Sequence, residues 1–252
     1  MNIRVSAICD KGLARSINED AILINKDILR DTQSDYDIDI NDTKAPFMIA
    51  VADGLGGHEA GEVASSFVVS SLSDKVSHLS QGLSVNDLKK TLNILIKEIH
   101  EEILAKGRSI PELNGMGSTM NGILFYSNKI FSINVGDSRL YRFRAGVLAC
   151  LTKDHTLREI SGNENSPSNI ILNSFGGGKT IFFDFEELSA RILTDDVLLI
   201  CSDGLTLELS DDEIETLIEK GLSVNDLVNA AKSKGGKDNI SVILIKIVNK
   251  EN

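Results

Sequence analysis

Short apolar runs separated by polar turns dominate the hydrophobic pattern of this chain. Runs of this kind, with alternating or continuous apolar positions, are typical of β-strands. They predict strands over 3–9, 21–25, 47–52, 118–126, 129–135, 139–144, 180–185, 197–201 and 240–248. The run FMIAVA at 47–52 is apolar at every position, which indicates a strand buried on both faces.

Four longer stretches are predicted as helices, over 59–78, 86–106, 211–220 and 223–234. The second has apolar residues at the helical period, with Ser84 or Asn86 as its N-cap and Gly107 at its end. The helices come in pairs between blocks of strands, which favours an α+β fold over a doubly wound parallel sheet. The acidic segment 26–46 is predicted to be a surface excursion. No Pro- or Gly-rich linker divides the chain, so residues 1–252 are predicted to form one domain.

Composition and charge narrow the classes of partner. The 252 residues are 42% hydrophobic and 25% charged, which is typical of soluble globular proteins. The net charge of −11 argues against nucleic acid or an anionic membrane as the main partner, because both attract cationic surfaces. The three cysteines have no CxxC spacing and indicate neither a disulfide framework nor a zinc site. No segment has the pattern of a signal peptide or a membrane span, which predicts a cytoplasmic protein.

An aspartate recurs beside the ends of predicted strands. Asp53, Asp137 and Asp203 follow strands, and Asp238 immediately precedes the last one. One such residue is explained by turn formation, since Asp-Gly and Asp-Asn are favoured turn dipeptides. Four carboxylates beside buried strands are costly without a partner, and a divalent cation is the economical one. Oxygen-only ligands favour Mg²⁺ or Mn²⁺ over Zn²⁺.

Other charged residues lie near these acids in the sequence. Arg15 and the Glu19-Asp20 pair lie in GLARSINEDA. Arg15 with Glu19 is either a solvated ion pair or an anion-binding guanidinium beside metal-binding acids, as a phosphate site requires. His58 lies in the glycine loop after Asp53 and either organises that loop or has a catalytic or phosphate-side role.

Seven blocks of the sequence carry a family resemblance. They are GLARSINEDA, FMIAVADGLGGHEAGEVAS, GMGST, INVGDSRLYRFRAG, LTKDHT, LLICSDGL and GGKDNISVILI, and the match extends from residue 9 to about 247. In this order they resemble the metal-dependent serine/threonine protein phosphatases of type 2C, particularly the compact bacterial members. The resemblance implies a four-layer α-β-β-α sandwich, with two central antiparallel sheets flanked by helix pairs and metals at one end. It also implies a flap segment over about 154–180, which is short here.

The resemblance further implies a set of metal ligands. They are Glu19, Asp20, Asp53, Gly54, Asp137, Asp203 and Asp238. Asp53 would bridge two ions, and Gly54 would ligate one of them through its backbone carbonyl. Asp203 and Asp238 would complete the protein ligands of the other ion. Glu19 and Asp20 would hold metal-bound waters, or one of them a metal directly, and Asp137 would hold a third ion with Asp203.

The reaction implied is hydrolysis of phosphoserine and phosphothreonine by direct attack of a hydroxide that bridges two Mn²⁺ or Mg²⁺ ions. Arg15 would bind the substrate phosphate. His58 is the candidate general acid, since Leu55 stands where some members carry a histidine; metal-bound water is the alternative.

Phosphorylated proteins, and a cognate serine/threonine kinase, are the expected partners of a monomer. Two other functions stay open: a non-catalytic phosphoprotein-binding scaffold of the same fold, and a phosphatase for small phosphate esters.

Overall fold

Two six-stranded antiparallel sheets form the centre of the structure, a computed structural model that describes residues 2–40, 43, 45–56, 60–167 and 169–248. In spatial order, the first sheet contains β11 (Val147–Cys150), β10 (Arg139–Arg144), β13 (Val197–Cys201), β14 (Ile240–Val248), β1 (Asn2–Asp10) and β4 (Thr32–Asp39). The second sheet contains β12 (Asp184–Glu187), β9 (Lys129–Val135), β8 (Met120–Tyr126), β5 (Phe47–Ala52), β2 (Ala21–Ile24) and β3 (Asp27–Leu29). A small ladder pairs β6 (Gly54–Leu55) with β7 (Gly117–Ser118).

Helices α1 (Ala60–Ser77) and α2 (Val85–Ser109) cover the outer face of the second sheet, and α5 (Asp211–Glu219) and α6 (Val224–Ser233) cover that of the first. Two short helices, α3 (Leu157–Ser161) and α4 (Asp203–Thr206), follow Thr156 and β13. One apolar cluster joins α1 and α2 to the second sheet, and another joins α5 and α6 to the first sheet. None of the described helices combines the length and the apolar character needed to cross a lipid bilayer.

A third apolar cluster lies between the two sheets and completes four layers. Strand β5 shows how one sequence serves two clusters. Its residues Met48, Ala50 and Ala52 face the helices, while Phe47, Ile49 and Val51 face the other sheet. Alternation of side chains along a strand makes a continuous apolar run necessary here, because both faces are buried. The predicted α+β sandwich is confirmed.

Local sequence signals explain where most helices begin and end. Ser84 caps α2 by accepting a hydrogen bond from the Asp87 backbone N–H, and Ser210 and Ser223 form capping boxes for α5 and α6. The sequence predicted that α2 ends at Gly107, but the helix continues to Ser109. It stops before Pro111, because the residue that precedes a proline disfavours the helical conformation.

The prediction for 26–46 is wrong, since this segment contributes strands to both sheets. Strand β3 forms an edge of the second sheet, and β4 pairs with β1 at an edge of the first. Tyr36 and Ile38 point into the core between the sheets, whereas aspartates occupy the alternate, outward positions. Because the outward positions are acidic, the alternation of apolar and polar residues in β4 was not recognised in the sequence. The strand predicted over 180–185 begins only at Asp184, and β11 was not predicted.

Candidate metal-dependent phosphate site

The aspartates at strand ends gather at one end of the sandwich. Asp53 follows β5, Asp137 lies between β9 and β10, Asp203 is the first residue of α4 after β13, and Asp238 precedes β14. The pKa of Asp53 is raised well above its usual value by burial and by the charges of nearby acids, which are Asp20, Asp203, Asp137 and Asp238. Five acids that were separate in the sequence therefore form one electrostatic cluster.

Three carboxyl oxygens in this region are buried and have no hydrogen-bond partner among the described residues: Glu19 Oε1, Asp20 Oδ1 and Asp137 Oδ1. Asp20 is 1% exposed, and its other oxygen accepts a hydrogen bond from Ser202 Oγ at 2.7 Å. A buried carboxylate oxygen without a partner costs free energy, so a native protein normally supplies one.

Burial disfavours the charged form of these groups. It raises the pKa of Asp20 to about 7 and, reinforced by the charge of Asp203, raises the pKa of Asp137 to about 7. The pKa of Asp203 rises to about 6 through burial and the charge of Asp238, and burial also raises the pKa of Glu19. Carboxyls with raised pKa values in a mutually repulsive cluster are a signature of a functional site.

The acids are not yet arranged as a ligand set. Across the described part of the chain, no three Asp, Glu, His or Cys side chains are positioned to hold a metal ion. Instead, Asp53 and Asp203 lie close together, and burial raises the pKa of both carboxyls. Arg15 Nη2 lies 2.6 Å from Asp238 Oδ2 and acts as a cation beside that carboxylate. Arg15 therefore offsets part of the negative charge that a metal ion would balance.

Close backbone packing holds the loops that carry the acids. A Cβ atom on Gly54 would overlap the backbone carbonyls of Gly61 and Glu19, so the start of α1 packs directly against both loops. A Cβ on Gly204 would overlap the carbonyl of Asn239, next to Asp238. Glycine is required at such close approaches because any side chain would separate the backbones.

Asn239 ties the loop between β1 and β2 to the start of β14. Its Oδ1 accepts a hydrogen bond from the Glu19 backbone N–H at 2.8 Å, and its Nδ2 donates to the carbonyls of Lys11 and Ile17. The side chain is 3% exposed, so these bonds are protected from water. Asn239 carried no functional prediction, although it lies within the GGKDNISVILI block.

Thr119 and Ser118 fix the backbone of Asp53. The carbonyl of Asp53 accepts from the Thr119 N–H at 2.8 Å and from Ser118 Oγ at 3.0 Å, and the Asp53 N–H donates to Thr119 Oγ1 at 3.2 Å. Thr119 Oγ1 also lies 2.9 Å from Ser138 Oγ, in the turn that carries Asp137. These positioning residues were missed as well; their signal was the GMGST block.

Two predictions concern the segment after Asp53. His58 lies outside the described residues, so its catalytic role stays a prediction. Leu55 is in β6, where its backbone pairs with Gly117. The ligand roles of the acids and of Gly54, and the phosphate-binding role of Arg15, also remain predictions.

The donor set fits a hard divalent cation. The unpartnered atoms are carboxylate oxygens, the cluster is strongly acidic, and Cys9 and Cys201 are buried with raised pKa values caused chiefly by burial. Carboxylate and carbonyl oxygens are the ligands that Mg²⁺ and Mn²⁺ prefer.

Comparison with known proteins agrees with this chemistry. Residues 26–241 match the family model described as protein phosphatase 2C. The serine/threonine phosphatase stp of Listeria innocua is 34% identical, over 94% of this chain and 93% of that protein. The structure of the Streptococcus agalactiae serine/threonine phosphatase superposes with a TM-score of 0.81 at 28% identity, covering 97% of this chain and 99% of that one.

A further relative supports the cofactor expectation. The catalytic domain of PstP, a serine/threonine phosphatase of Mycobacterium tuberculosis, has been solved in complex with 2 manganese ions. It superposes with a TM-score of 0.76 at 29% identity, covering 99% of this chain and 100% of that one. The expectation of Mn²⁺ or Mg²⁺ as cofactor is thus confirmed. The chain belongs to the protein phosphatase 2C family of metal-dependent serine/threonine phosphatases.

Proposed function

We propose that this chain removes phosphate from phosphoserine and phosphothreonine residues of proteins at the acidic end of the sandwich. The single observation that carries the proposal is the set of buried carboxyl oxygens without partners, at Glu19, Asp20 and Asp137, within a cluster of six acids. Such a cluster is costly unless it binds cations, and phosphate ester hydrolysis is a reaction that needs them.

The proposed metal ligands are Glu19, Asp20, Asp53, the carbonyl of Gly54, Asp137, Asp203 and Asp238. When bound, the ions supply the Lewis acidity that activates water and neutralises charge on the phosphoryl oxygens. The chain contributes the fixed placement of the acids. Ser202 holds the carboxyl of Asp20, and Asn239 and Thr119 hold the backbones of Glu19 and Asp53, so the loops that carry these acids are fixed before the ions bind.

Arg15 is proposed to bind the substrate phosphate. Its side chain is 48% exposed at the edge of the cluster, and its Nη2 bonds Asp238. A guanidinium has five N–H donors in a planar fork, so one bond to Asp238 leaves donors for phosphate oxygens. Arg15 would orient the phosphate and hold its non-reacting oxygens.

The proton for the leaving serine or threonine oxygen is proposed to come from His58. Substitution of His58 by Ala should then remove one limb of the pH–rate profile of kcat, because a general acid must be protonated to act. An unchanged profile would assign the proton to water.

We further propose that residues 1–252 act as one catalytic domain, as a monomer in the cytoplasm, opposite a serine/threonine kinase. The substrates would be phosphoproteins made by that kinase. One apolar cluster contains residues of both sheets, and each of the other two joins one sheet to its helices, which supports a single folding unit.

The decisive experiment measures phosphate release from a phosphothreonine peptide with Mn²⁺ titrated against EDTA. Replacement of Asp203 by Asn should lower turnover by more than about 100-fold, since even partners of metal ligands typically cost about 10- to 100-fold. Asp212→Asn, on the exposed surface of α5, is the matched control and should leave turnover unchanged.

The same assay separates the alternatives. Tight phosphopeptide binding without turnover, in protein that binds Mn²⁺, would indicate a scaffold and contradict the proposed catalysis. A steep preference for small phosphate esters over phosphopeptides would reassign the substrate class.

A further inference from the structure

His155 is a buried histidine at the start of the flap segment, and it joins three parts of the chain. The residue is 3% exposed. Its Nδ1 lies 3.1 Å from the backbone N of Gly136 and 2.7 Å from Asn173 Nδ2. Its own backbone N–H donates to the Gly136 carbonyl at 2.9 Å, so two hydrogen bonds connect His155 and Gly136. Its Nε2 lies 3.2 Å from Asp184 Oδ2.

These contacts determine which ring nitrogen carries the proton. The Gly136 N–H can only donate, so Nδ1 must accept. The Asn173 amide is oriented independently, because its Oδ1 accepts from the Phe182 N–H and its Nδ2 donates to the Phe182 carbonyl. The Asn173 Nδ2 therefore also donates to Nδ1. The ring is left with its proton on Nε2, from which it donates to the carboxylate of Asp184.

Gly136 immediately precedes Asp137, whose carboxyl belongs to the acidic cluster. Gly136 has φ +113°, and a Cβ atom there would overlap the side chain of Thr119. The glycine has no side chain with which to fix its own turn, so the turn depends on the hydrogen bonds made to its backbone. His155 makes two of them.

The other side of Asp137 is held by a neighbour of His155. Arg139 forms a forked ion pair with Asp154, with Nη2 2.7 Å from Asp154 Oδ2 and Nε 3.0 Å from Oδ1. The dipeptide Asp154-His155 thus holds the chain both before and after Asp137. Without the His155 ring, the Gly136 carbonyl would keep its bonds from the His155 N–H and from Asn134 Nδ2, but the Gly136 N–H would lose its acceptor.

We propose that His155 is a positioning residue for Asp137, which links the placement of that carboxyl to the flap through Asn173 and Phe182. Its effect on catalysis rests on the proposed function above, whereas its effect on the Gly136 turn does not. The role is positional because the ring contacts the backbone beside Asp137.

Two amide substitutions at His155 test the roles of its two ring nitrogens separately. Asparagine places an acceptor oxygen near the position of Nδ1, whereas glutamine places its amide near Nε2. His155→Asn should therefore keep the bond to Gly136, and His155→Gln should lose it. His100→Gln is the matched control: His100 is also buried, and its Nδ1 accepts from the Gly176 N–H at the other end of the flap.

The first readout uses the metal-free protein and needs no activity. Nitrogen-15 shifts of the wild-type imidazole should show a proton on Nε2 of His155. The Gly136 amide should exchange with solvent slowly in wild type, His155→Asn and His100→Gln, and at least about tenfold faster in His155→Gln, because a buried acceptor has been removed. A proton on Nδ1, or equal Gly136 exchange in all four proteins, would overturn the proposal. If His155→Gln does not fold, the tautomer of His155 in the wild type and the Gly136 amide exchange rate in His155→Asn still test the proposal.

The second readout is the Mn²⁺ dependence of phosphopeptide turnover. His155→Gln should raise the half-saturating Mn²⁺ concentration or lower kcat by about 10- to 100-fold, with KM for the peptide unchanged. His155→Asn should restore most of the loss. Equal kinetics in the two variants would overturn the catalytic part. Absence of metal-dependent turnover in the wild type would instead contradict the proposed function and leave the exchange result standing.

Discussion

Arg15 would compete with a bound cation for the carboxylate of Asp238. The guanidinium lies 2.6 Å from Asp238, a proposed metal ligand, and it is also the proposed phosphate-binding group. Arg15→Ala should lower kcat/KM for a phosphopeptide by roughly 10- to 100-fold, because hydrogen bonds to charged groups contribute about 1.5–3 kcal/mol. Mn²⁺ should bind no more weakly, since a competing cation has been removed. Weaker Mn²⁺ binding by calorimetry would show instead that Arg15 supports the ligand set.

Gly54 makes a second prediction at the residue level. Gly54→Ala would place a methyl group against the carbonyls of Gly61 and Glu19, so the loops carrying Glu19 and Asp53 must separate. We expect kcat/KM to fall by at least about 100-fold, more than for the partners of metal ligands. The control is Gly82→Ala, which has φ +75° and open space around the new methyl. It should cost about 1–2 kcal/mol of unfolding free energy through backbone strain, with turnover per folded molecule retained. Equal turnover in the two variants would contradict the packing argument.

Single residues of the site were predictable to different degrees. Each of Asp53, Asp137, Asp203 and Asp238 stands beside an apolar strand, which is a local signal, and the structure brings all four together. Thr119, Asn239 and His155 lie within family-like blocks, but their roles were not predictable because they come from hydrogen bonds to residues far away in the sequence. Such partners follow only from the fold.

At the level of elements, the β3–β4 region supports the acidic site from outside. Just after β3, Arg30 donates through Nη2 to Ser65 Oγ, Ser66 Oγ and the Glu62 carbonyl, and it pairs with the Glu62 carboxylate. Ser65 Oγ in turn donates to the Glu19 carbonyl. The segment therefore fixes the start of α1 against the loop that carries Glu19.

This arrangement makes a prediction for stability. Arg30→Lys should lower the free energy of unfolding by about 1–3 kcal/mol, because a lysine cannot reproduce the fork and leaves buried acceptors unpaired. Arg4→Lys is the matched control, since Arg4 pairs with Asp37 across β1 and β4 with 62% and 84% of the side chains exposed. That change should cost less than about 1 kcal/mol. Urea unfolding of both variants measures the difference. Equal midpoints would contradict the proposal that Arg30 fixes the start of α1.

The elements themselves were predicted well where one periodicity dominated. Strands β5, β9, β10, β13 and β14 match their predicted bounds. β4 was missed because its outward residues are acidic and its inward residues, Tyr36 and Ile38, are few. The extended segment before Asp184 was predicted as a strand because it is apolar, yet Phe182 pairs with Asn173 of the flap. Hydrogen bonds to the Asn173 side chain therefore take the place of strand pairing at Phe182.

For the whole molecule, the raised pKa values predict how stability depends on pH. In the metal-free protein the pKa values of Asp20 and Asp137 are about 7 and that of Asp203 is about 6, against 3.8 in an unfolded chain. The native state thus holds these protons more tightly. The stabilisation is fully present below about pH 4 and is lost as the pH rises through about 6 to 7.

Thermal unfolding in EDTA should therefore show a Tm that falls by at least about 3 °C between pH 5.5 and pH 8. Asp137→Asn should reduce this fall, because the amide does not titrate. Excess Mn²⁺ should restore the Tm most strongly at the higher pH, where the carboxylates are free to bind it. A Tm that rises with pH in EDTA would contradict the burial of protonated acids.

The position of β14 in the first sheet has a consequence for biosynthesis. This strand comes after every other described strand, yet it lies between β13 and β1, and Asp238 closely precedes it. During translation the β4–β1 pair and the β11–β10–β13 group leave the ribosome before β14. Until β14 follows, no strand joins these two parts of the first sheet. The second sheet, whose strands all lie within residues 21–187, can form earlier. A nascent or prematurely terminated chain that lacks β14 therefore cannot bring Asp238 to the acidic cluster, and we expect dephosphorylation to begin only after β14 has been synthesised.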